Sequence, residues 1–94
     1  MIHEIQIRVR LSETDALGIV YYSNYFIYFD VARIELLRSV GIDSEILDKK
    51  WFKFLCLEAS CKYLVPLRFD DLITVKTWIE KIGEKSIVYK HLIV

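Results

Sequence analysis

The chain has 94 residues, of which 54% are hydrophobic and 14% aromatic, and its formal net charge is zero. This length suits one small domain over residues 1–94, and the balanced charge gives no general attraction to nucleic acid or to an anionic membrane. No apolar run approaches the roughly 20 residues that a membrane span needs, and the charges near the N-terminus argue against a signal peptide. We therefore expect a cytoplasmic protein, with part of its large apolar complement covering a partner subunit.

The first half of the chain predicts a strand followed by a long helix. Apolar and polar residues alternate over residues 5–11, which indicates a half-buried strand. After a polar connection, Ser23 or Asn24 can cap a helix that Gly41 ends. Apolar side chains lie on nearly every side of this helix, so we expect a sheet wrapped around it.

The second half predicts a short helix over residues 42–50 and then strands over residues 52–65, 72–81 and 85–94. Short connections between these strands favour an antiparallel meander, and hence an α+β fold. The last strand reaches Val94 without a closing turn. We expect its bare edge to be covered by another chain, or the final strands of the fold to be missing.

Two cysteines, Cys56 and Cys61, are five residues apart and fall on opposite faces of the predicted strand. We expect two buried free thiols instead of a disulfide. A C-x-x-C metal pair is absent from the sequence, and no metal or other cofactor is predicted.

The candidate catalytic residue is Asp15, which precedes a glycine-bearing turn that enters the long helix. N–H groups in the first turn of a helix lack partners within the helix and carry the positive end of its dipole. They could polarise a thioester carbonyl while Asp15 acts as nucleophile or as general base for water. Gly18 would let the backbone approach the ligand closely. The alternative interpretation of Asp15 is a residue that only caps the turn.

Residues 14–25, TDALGIVYYSNY, with Ala32-Arg33 downstream, resemble the 4-hydroxybenzoyl-CoA thioesterase family of hotdog-fold proteins. They are also similar to the bacterial acyl-CoA thioesterases associated with the Tol–Pal system. A second segment, YLVPLRFDDL at residues 63–72, resembles the family's Y-x-x-P-x-x-x-D-D segment. The resemblance extends over residues 9–94 and implies a long central helix wrapped by an antiparallel sheet, here without the family's final strand or strands.

The resemblance implies hydrolysis of an acyl-CoA, short-chain or aryl, by a homodimer or homotetramer with active sites at a subunit interface. The family's catalytic aspartate aligns with Asp15, and its carbonyl-polarising backbone N–H aligns with that of Tyr22. Lys85 matches a basic residue that contacts the CoA phosphates. The other predicted substrate-binding residues are Gly18, Val20, Asn24 and Tyr25.

The sequence leaves two other functions open: a non-catalytic hotdog module that binds acyl groups or a partner, and a dehydratase of the same fold. The dehydratase is disfavoured because that chemistry uses a histidine with an acid, and neither histidine is near Asp15 in the sequence. We expect His91 to be structural. Arg33 falls within the apolar stripe of the helix, so we expect it to pair with Glu13, Asp15 or an acid of a partner chain.

Overall fold

The computed structural model describes residues 1–42 and 56–94, which contain three strands and one long helix. The elements are β1 (His3–Arg8), α1 (Tyr25–Ser39), β2 (Leu72–Ile82) and β3 (Ile87–Ile93). The strands form one antiparallel sheet in the order β1-β2-β3, and α1 packs against β1 and β2. The predicted α+β class is confirmed.

The inner face of the sheet comes from alternate residues of the central strand. Ile73, Val75 and Thr77 of β2 are 3%, 0% and 0% exposed, as their period of two predicts. Ile5 lies opposite Val75, and Ile7 lies opposite Ile73. These residues form the floor on which the helix packs.

The helix buries one stripe rather than its whole circumference. The buried positions follow the helical repeat of three or four residues: Tyr25, Tyr28, Ala32 and Leu36. Ile27 and Val31 are 48% and 43% exposed. The prediction that α1 is buried nearly all round is therefore wrong within the described residues, because the three strands there cover only one side of it.

The C-terminal end of α1 confirms the predicted stop at Gly41. Gly41 has a φ of +92°, the left-handed conformation that glycine adopts most easily. Its N–H donates to the Arg38 carbonyl at 3.1 Å, and the Ile42 N–H donates to the Leu37 carbonyl at 3.0 Å. This is the Schellman pattern, which satisfies carbonyls that the helix leaves without partners.

The first strand is shorter than its alternation predicts. Strand pairing stops at Arg8, and Leu11, placed in the strand by its pattern, is 67% exposed at the start of a 3-10 turn. Val9 instead exchanges hydrogen bonds with the loop before β2: its N–H donates to the Asp71 carbonyl at 2.9 Å, and its carbonyl accepts the Asp70 N–H at 3.0 Å. Tertiary pairing, not periodicity, therefore sets the end of β1.

The predicted strand over residues 52–65 is not formed where it can be checked. Residues 52–55, like nearly all of the predicted short helix, lie outside the described residues. Residues 56–65 have no strand pairing, and Cys56 is exposed while Cys61 is partly buried. The two thiols are free as predicted, but neither is fully buried, and only Cys61 packs against the core. A period of two shows which face a strand would bury, whereas the strand itself also needs a hydrogen-bonded neighbour.

The β2–β3 hairpin confirms the rest of the predicted meander. Ile82 pairs with Ile87, and the Gly83 N–H donates to the Ser86 carbonyl at 2.7 Å across the turn. A register shift between Ile79 and Lys81 interrupts the ladder. Such a bulge increases the local twist of the sheet.

Glu13 is a buried acid that links the loop after β1 to the helix. Its side chain accepts the Arg10 backbone N–H at 2.8 Å, the Arg10 guanidinium at 3.0 and 3.1 Å, and the Tyr28 hydroxyl at 2.9 Å. Its main-chain carbonyl accepts the Tyr21 N–H and the Asn24 side-chain amide, both at 2.9 Å. Asn24 occupies the N-cap position of α1 as predicted, but its side chain holds this loop and does not cap the helix.

The surroundings of Glu13 keep it ionised. Burial is the largest influence and by itself raises the pKa of Glu13. The hydrogen bonds from the Arg10 backbone, Tyr28 and the Arg10 guanidinium outweigh it, and the pKa is lowered overall. Burial, followed by the bond to Glu13, raises the pKa of Tyr28, so the phenol stays a donor to the carboxylate.

Arg33 pairs within its own helix. Its guanidinium lies 3.1 Å from the Asp30 carboxylate, one turn earlier, and 5.9 Å from the centre of the Tyr89 ring. The prediction that Arg33 is paired is confirmed, but the carboxylate beside it is that of Asp30, and Glu13, one of the three expected acids, pairs with Arg10. An i,i+3 pair is geometrically easy on a helix surface.

His91 lies under the helix with its ring committed to neighbours, as expected for a structural histidine. Its Nδ1 is 2.9 Å from the hydroxyl of the fully buried Thr77, and its ring stacks on Phe29 with centroids 4.7 Å apart. Burial first, and then the charge of Arg33, lower the pKa of His91 to about 4, against an opposing effect of Asp30.

We predict that Glu13→Gln lowers the free energy of unfolding by about 1.5–3 kcal/mol at pH 7, the usual range for a hydrogen bond to a charged group. Urea unfolding followed by circular dichroism measures this change. Glu4→Gln is the matched control, since the Glu4 carboxylate is exposed and lies 3.8 Å from Lys76. Its effect should stay within about 0.5 kcal/mol. Equal effects of the two variants would contradict the role of Glu13.

We also predict an acid-dependent loss of stability that comes from His91. The folded pKa is about 4 and the ordinary value 6.5, so below pH 6.5 the unfolded chain binds the proton more readily. The contribution of neutral His91 to the free energy of unfolding is fully present above pH 6.5 and is lost as the pH drops toward 4. His91→Gln, which keeps a polar partner for Thr77, should flatten the change in unfolding free energy between pH 7 and 5. An unchanged pH profile in this variant would refute the assignment.

Candidate active site

Asp15 heads a tight turn in the loop between β1 and the helix. Its carbonyl accepts the Gly18 N–H at 3.0 Å, and its N–H donates to the Ile19 carbonyl at 2.9 Å. Its Oδ1 accepts the Leu17 N–H at 2.8 Å, the bond of an Asx-turn. Gly18 has a φ of +79°, and a Cβ there would meet nothing within 4 Å. The turn therefore needs this glycine for its conformation, and not for space among neighbouring atoms.

The turn uses only part of the Asp15 carboxylate. Asp15 is partly exposed, and its Oδ2 accepts no hydrogen bond from residues 1–42 or 56–94. One oxygen thus fixes the orientation of the group while the other faces away from the turn's hydrogen bond. The structural and the catalytic interpretations of Asp15 are compatible for this reason.

Backbone bonds hold the Asp15 turn beside the start of the helix. Thr14 and Val20 form an antiparallel bridge across the base of the turn. The Tyr21 N–H donates to the Glu13 carbonyl at 2.9 Å, and the Val20 N–H donates to the Leu67 carbonyl at 2.8 Å. Chain segments on both sides of the turn are thereby fixed.

The helix begins with a 3-10 turn over Tyr22–Asn24 that leads directly into α1. The N–H groups of Tyr22 and Ser23 come first, where a helix offers no internal acceptor and its dipole is positive. The pKa of Tyr21 is raised, chiefly by its hydrogen bond with Tyr22 and to a smaller extent by the charge of Asp15. The Asp15 carboxylate thus lies close enough to the Tyr21 side chain to act on its hydroxyl electrostatically.

A group of tyrosines covers this end of the helix, and we call Tyr21, Tyr22 and Tyr63 the tyrosine patch. Their side chains are 45%, 59% and 46% exposed. The Tyr63 ring meets the buried Tyr25 edge-on, with centroids 4.9 Å apart, and its hydroxyl donates to the Tyr22 carbonyl at 3.0 Å. The patch presents aromatic surface and hydroxyl groups beside the helix N-terminus.

Three other predicted site residues contact the rest of the protein: two lie in the core and one holds the loop before the helix. Val20 and Tyr25 are 3% and 7% exposed, and both belong to the core. The amide of Asn24 holds Glu13. Ligand contact by these three side chains stays a prediction, and their observed contacts are with the protein itself.

Lys85 lies in the exposed turn between β2 and β3. Asp15 lies near the opposite end of β2, since the segment Leu67–Arg68 before that strand bonds to Val20 and Ile19. The 11 residues of β2 separate the two by about 33 Å, since their ten steps each rise ~3.3 Å. One chain therefore does not bring Lys85 to the Asp15 turn.

Two residues of this region had no predicted role in a site. Glu13 was expected only as a partner of Arg33, although the pattern Arg10-x-x-Glu13 fits the loop pairing that is found. Tyr63 stands at the start of the Y-x-x-P segment, whose contact with the helix start requires the tertiary structure. Its aromatic neighbours lie some 40 positions earlier in the chain.

Among residues 1–42 and 56–94, no group of three or more His, Cys, Asp or Glu side chains could hold a metal ion. In the same residues, no helix has the length and apolar character to cross a membrane.

Comparison with known proteins matches residues 17–94 to the thioesterase superfamily. The acyl-CoA thioester hydrolase YbgC of Escherichia coli is 31% identical over 88 residues, which cover 94% of this chain and 66% of that protein. The chain spans between 62% and 67% of the length of this and two other curated relatives that it matches.

Solved structures give the same result. A gentisyl-coenzyme A thioesterase superposes with a TM-score of 0.90 at 33% identity, over 98% of this chain and 75% of that one. The 4-hydroxybenzoyl-CoA thioesterase of a Pseudomonas strain has a TM-score of 0.86 at 22% identity, over 98% of this chain and 68% of that one, and shares the fold. The predicted hotdog fold is confirmed. The chain belongs to the thioesterase superfamily.

Proposed function

We propose that the chain is an acyl-CoA thioester hydrolase that converts a short-chain or aryl acyl-CoA and water to the free acid and CoA. The observation that carries the proposal is the Asp15 turn, held beside the first N–H groups of the helix. In this proposal the backbone N–H of Tyr22 polarises the thioester carbonyl, and Asp15 supplies the attacking oxygen or activates the water that does so.

Thioester chemistry suits so small a set of groups. The thiolate of CoA is a good leaving group, because an alkyl thiol has a pKa of about 8.5, so little acid assistance is required. Preorganised N–H donors stabilise the negative charge that develops on the carbonyl oxygen in the transition state. Losing one such donor typically raises the activation barrier by about 3–4 kcal/mol. The names of YbgC and of the gentisyl-coenzyme A thioesterase support the substrate class. The tyrosine patch offers a surface on which an aryl group could pack.

We predict that Asp15→Asn lowers kcat at least about 100-fold, in line with the contribution of a general base. The amide keeps an oxygen for the Leu17 N–H, so the turn should persist and the melting temperature should change little. Thiol release from a panel of short-chain and aryl acyl-CoA thioesters measures the activity. Asp70→Asn is the matched control, since Asp70 is exposed at a φ of +70°, a conformation that Asn tolerates.

A single turnover in oxygen-18 water, combined with trapping of an acyl-enzyme, distinguishes the two roles of Asp15. Label found in the Asp15 carboxyl indicates an anhydride that water hydrolysed at the aspartyl carbon. Label found only in the acid product is expected both from a general base and from an anhydride hydrolysed at its acyl carbon, and only the anhydride gives an acyl-enzyme that can be trapped at Asp15. An Asp15→Asn protein with the turnover of the parent would contradict both.

The position of Lys85 leads to a second part of the proposal: a homodimer or larger homo-oligomer in which one subunit supplies Asp15 and its partner supplies Lys85. Because about 33 Å of β2 separates Lys85 from the Asp15 turn of its own chain, in this proposal the lysine that binds the CoA phosphates comes from the partner subunit. A Lys ammonium binds a CoA phosphate as a point charge. The exposed apolar side chains on α1 provide surface for such an interface.

We predict that Lys85→Ala raises KM for acyl-CoA about tenfold, the equivalent of ~1.4 kcal/mol for one charged contact. The KM for a pantetheine thioester, which lacks the nucleotide, should not change. Lys81→Ala serves as the control on the same hairpin.

Mixing Asp15→Asn with Lys85→Ala subunits should then restore about a quarter of the parent activity at low substrate, because one site of each heterodimer is complete. No recovery in a verified heterodimer would contradict the shared site.

A non-catalytic acyl-binding module is the second candidate, and the Asx-turn role of Asp15 favours it. It predicts that acyl-CoA binds without thiol release and that Asp15→Asn leaves binding unchanged. Isothermal titration beside the thiol assay separates it from the hydrolase.

A further inference from the structure

Tyr63 connects the segment before β2 to the start of the helix through two separate contacts. Its hydroxyl donates to the Tyr22 carbonyl at 3.0 Å. Its ring meets the Tyr25 ring at 87° with centroids 4.9 Å apart, and Tyr25 is only 7% exposed. A buried aromatic neighbour holds the ring in place, so that the hydroxyl reaches the Tyr22 carbonyl, with the Cys61 thiol also within hydrogen-bond reach.

The carbonyl that Tyr63 contacts is at the first residue of the helical segment. Tyr22 begins the 3-10 turn, and its carbonyl already accepts the Tyr25 N–H. The same peptide unit carries the N–H of Ser23. Because a peptide unit is planar, a second donor on its carbonyl also restrains the direction of that N–H. The Tyr22 N–H belongs to the preceding peptide unit, which shares only the Tyr22 Cα with this one, so the bond acts most directly on the Ser23 N–H.

We propose that the Tyr63 hydroxyl is a positioning group, which holds the first N–H donors of the helix in the orientation that stabilises the oxyanion. The inference rests on the proposed hydrolase function. Tyr63 acts through the Tyr22 peptide units and not on the reacting atoms. Its effect belongs to the transition state, where charge develops on the carbonyl oxygen, and not to ground-state binding.

Tyr63→Phe tests this role because it removes the hydroxyl and keeps the ring on Tyr25. We expect kcat to fall about fivefold to tenfold, less than the loss of a whole oxyanion donor, while KM stays within about twofold. The melting temperature should not change, since the lost bond is exposed. Tyr89→Phe is the matched control, because Tyr89 lies on β3 beside Arg33 and outside the proposed site.

The amide resonance of Ser23 gives a readout that is independent of turnover. We expect Tyr63→Phe to shift this resonance and to speed its hydrogen exchange, and Tyr89→Phe to leave both unchanged. If the parent protein hydrolyses acyl-CoA and Tyr63→Phe retains the parent kcat, the inference is overturned while the proposed function stands. If no acyl-CoA is cleaved by the parent protein, the proposed function fails. In that case a shifted Ser23 amide supports the restraint by Tyr63, and an unchanged one overturns it.

Discussion

The buried carboxylate of Glu13 is the interaction on which the arrangement of the candidate site depends. Its side chain joins Arg10 in the loop to Tyr28 in the helix, and its main-chain carbonyl holds Tyr21 and Asn24 at the helix start. The Asp15 turn begins two residues later, so its position relative to the helix follows from these bonds. A buried charge is costly unless it is paired and hydrogen-bonded, and Glu13 meets both conditions. The hydrogen bonds of Glu13 therefore tie the loop before the Asp15 turn to the start of the helix.

Two hydrogen bonds from the segment before β2, far from Glu13 in the sequence, complete the candidate site. The segment before β2 contributes the Leu67 carbonyl to the Val20 N–H and the Tyr63 hydroxyl to the Tyr22 carbonyl. These bonds reach the helix start from a segment that lies about 50 residues after Glu13 in the chain. A catalytic apparatus that consists of one carboxylate and backbone N–H groups needs such support, because a displacement of about 1 Å can cost on the order of 100-fold in rate. The sheet itself contributes the inner face on which Tyr25 and Tyr28 pack.

Local pattern predicted some elements well and others poorly, and the difference has one cause. The end of α1 at Gly41 and the faces of β2 follow from residues close together in the chain. The segment 56–65 has the alternation of a strand but no pairing, because alternation records which side chains could be buried and says nothing about a neighbour. Exposed Ile27 and Val31 make the same point for the helix: apolar composition shows what can be covered, and the surrounding elements decide what is.

Residue types at short spacing were enough to predict the α+β class, the end of the helix at Gly41, the family and Asp15 as the candidate carboxylate. The packing of helix and sheet, which no local pattern reports, established that Arg10 and not Arg33 pairs with Glu13, and that Asn24 supports a loop. It likewise placed Tyr63 on the helix start and Lys85 at the far end of β2. These are contacts between residues distant in sequence, and their geometry follows from how helix and sheet pack together rather than from any local preference.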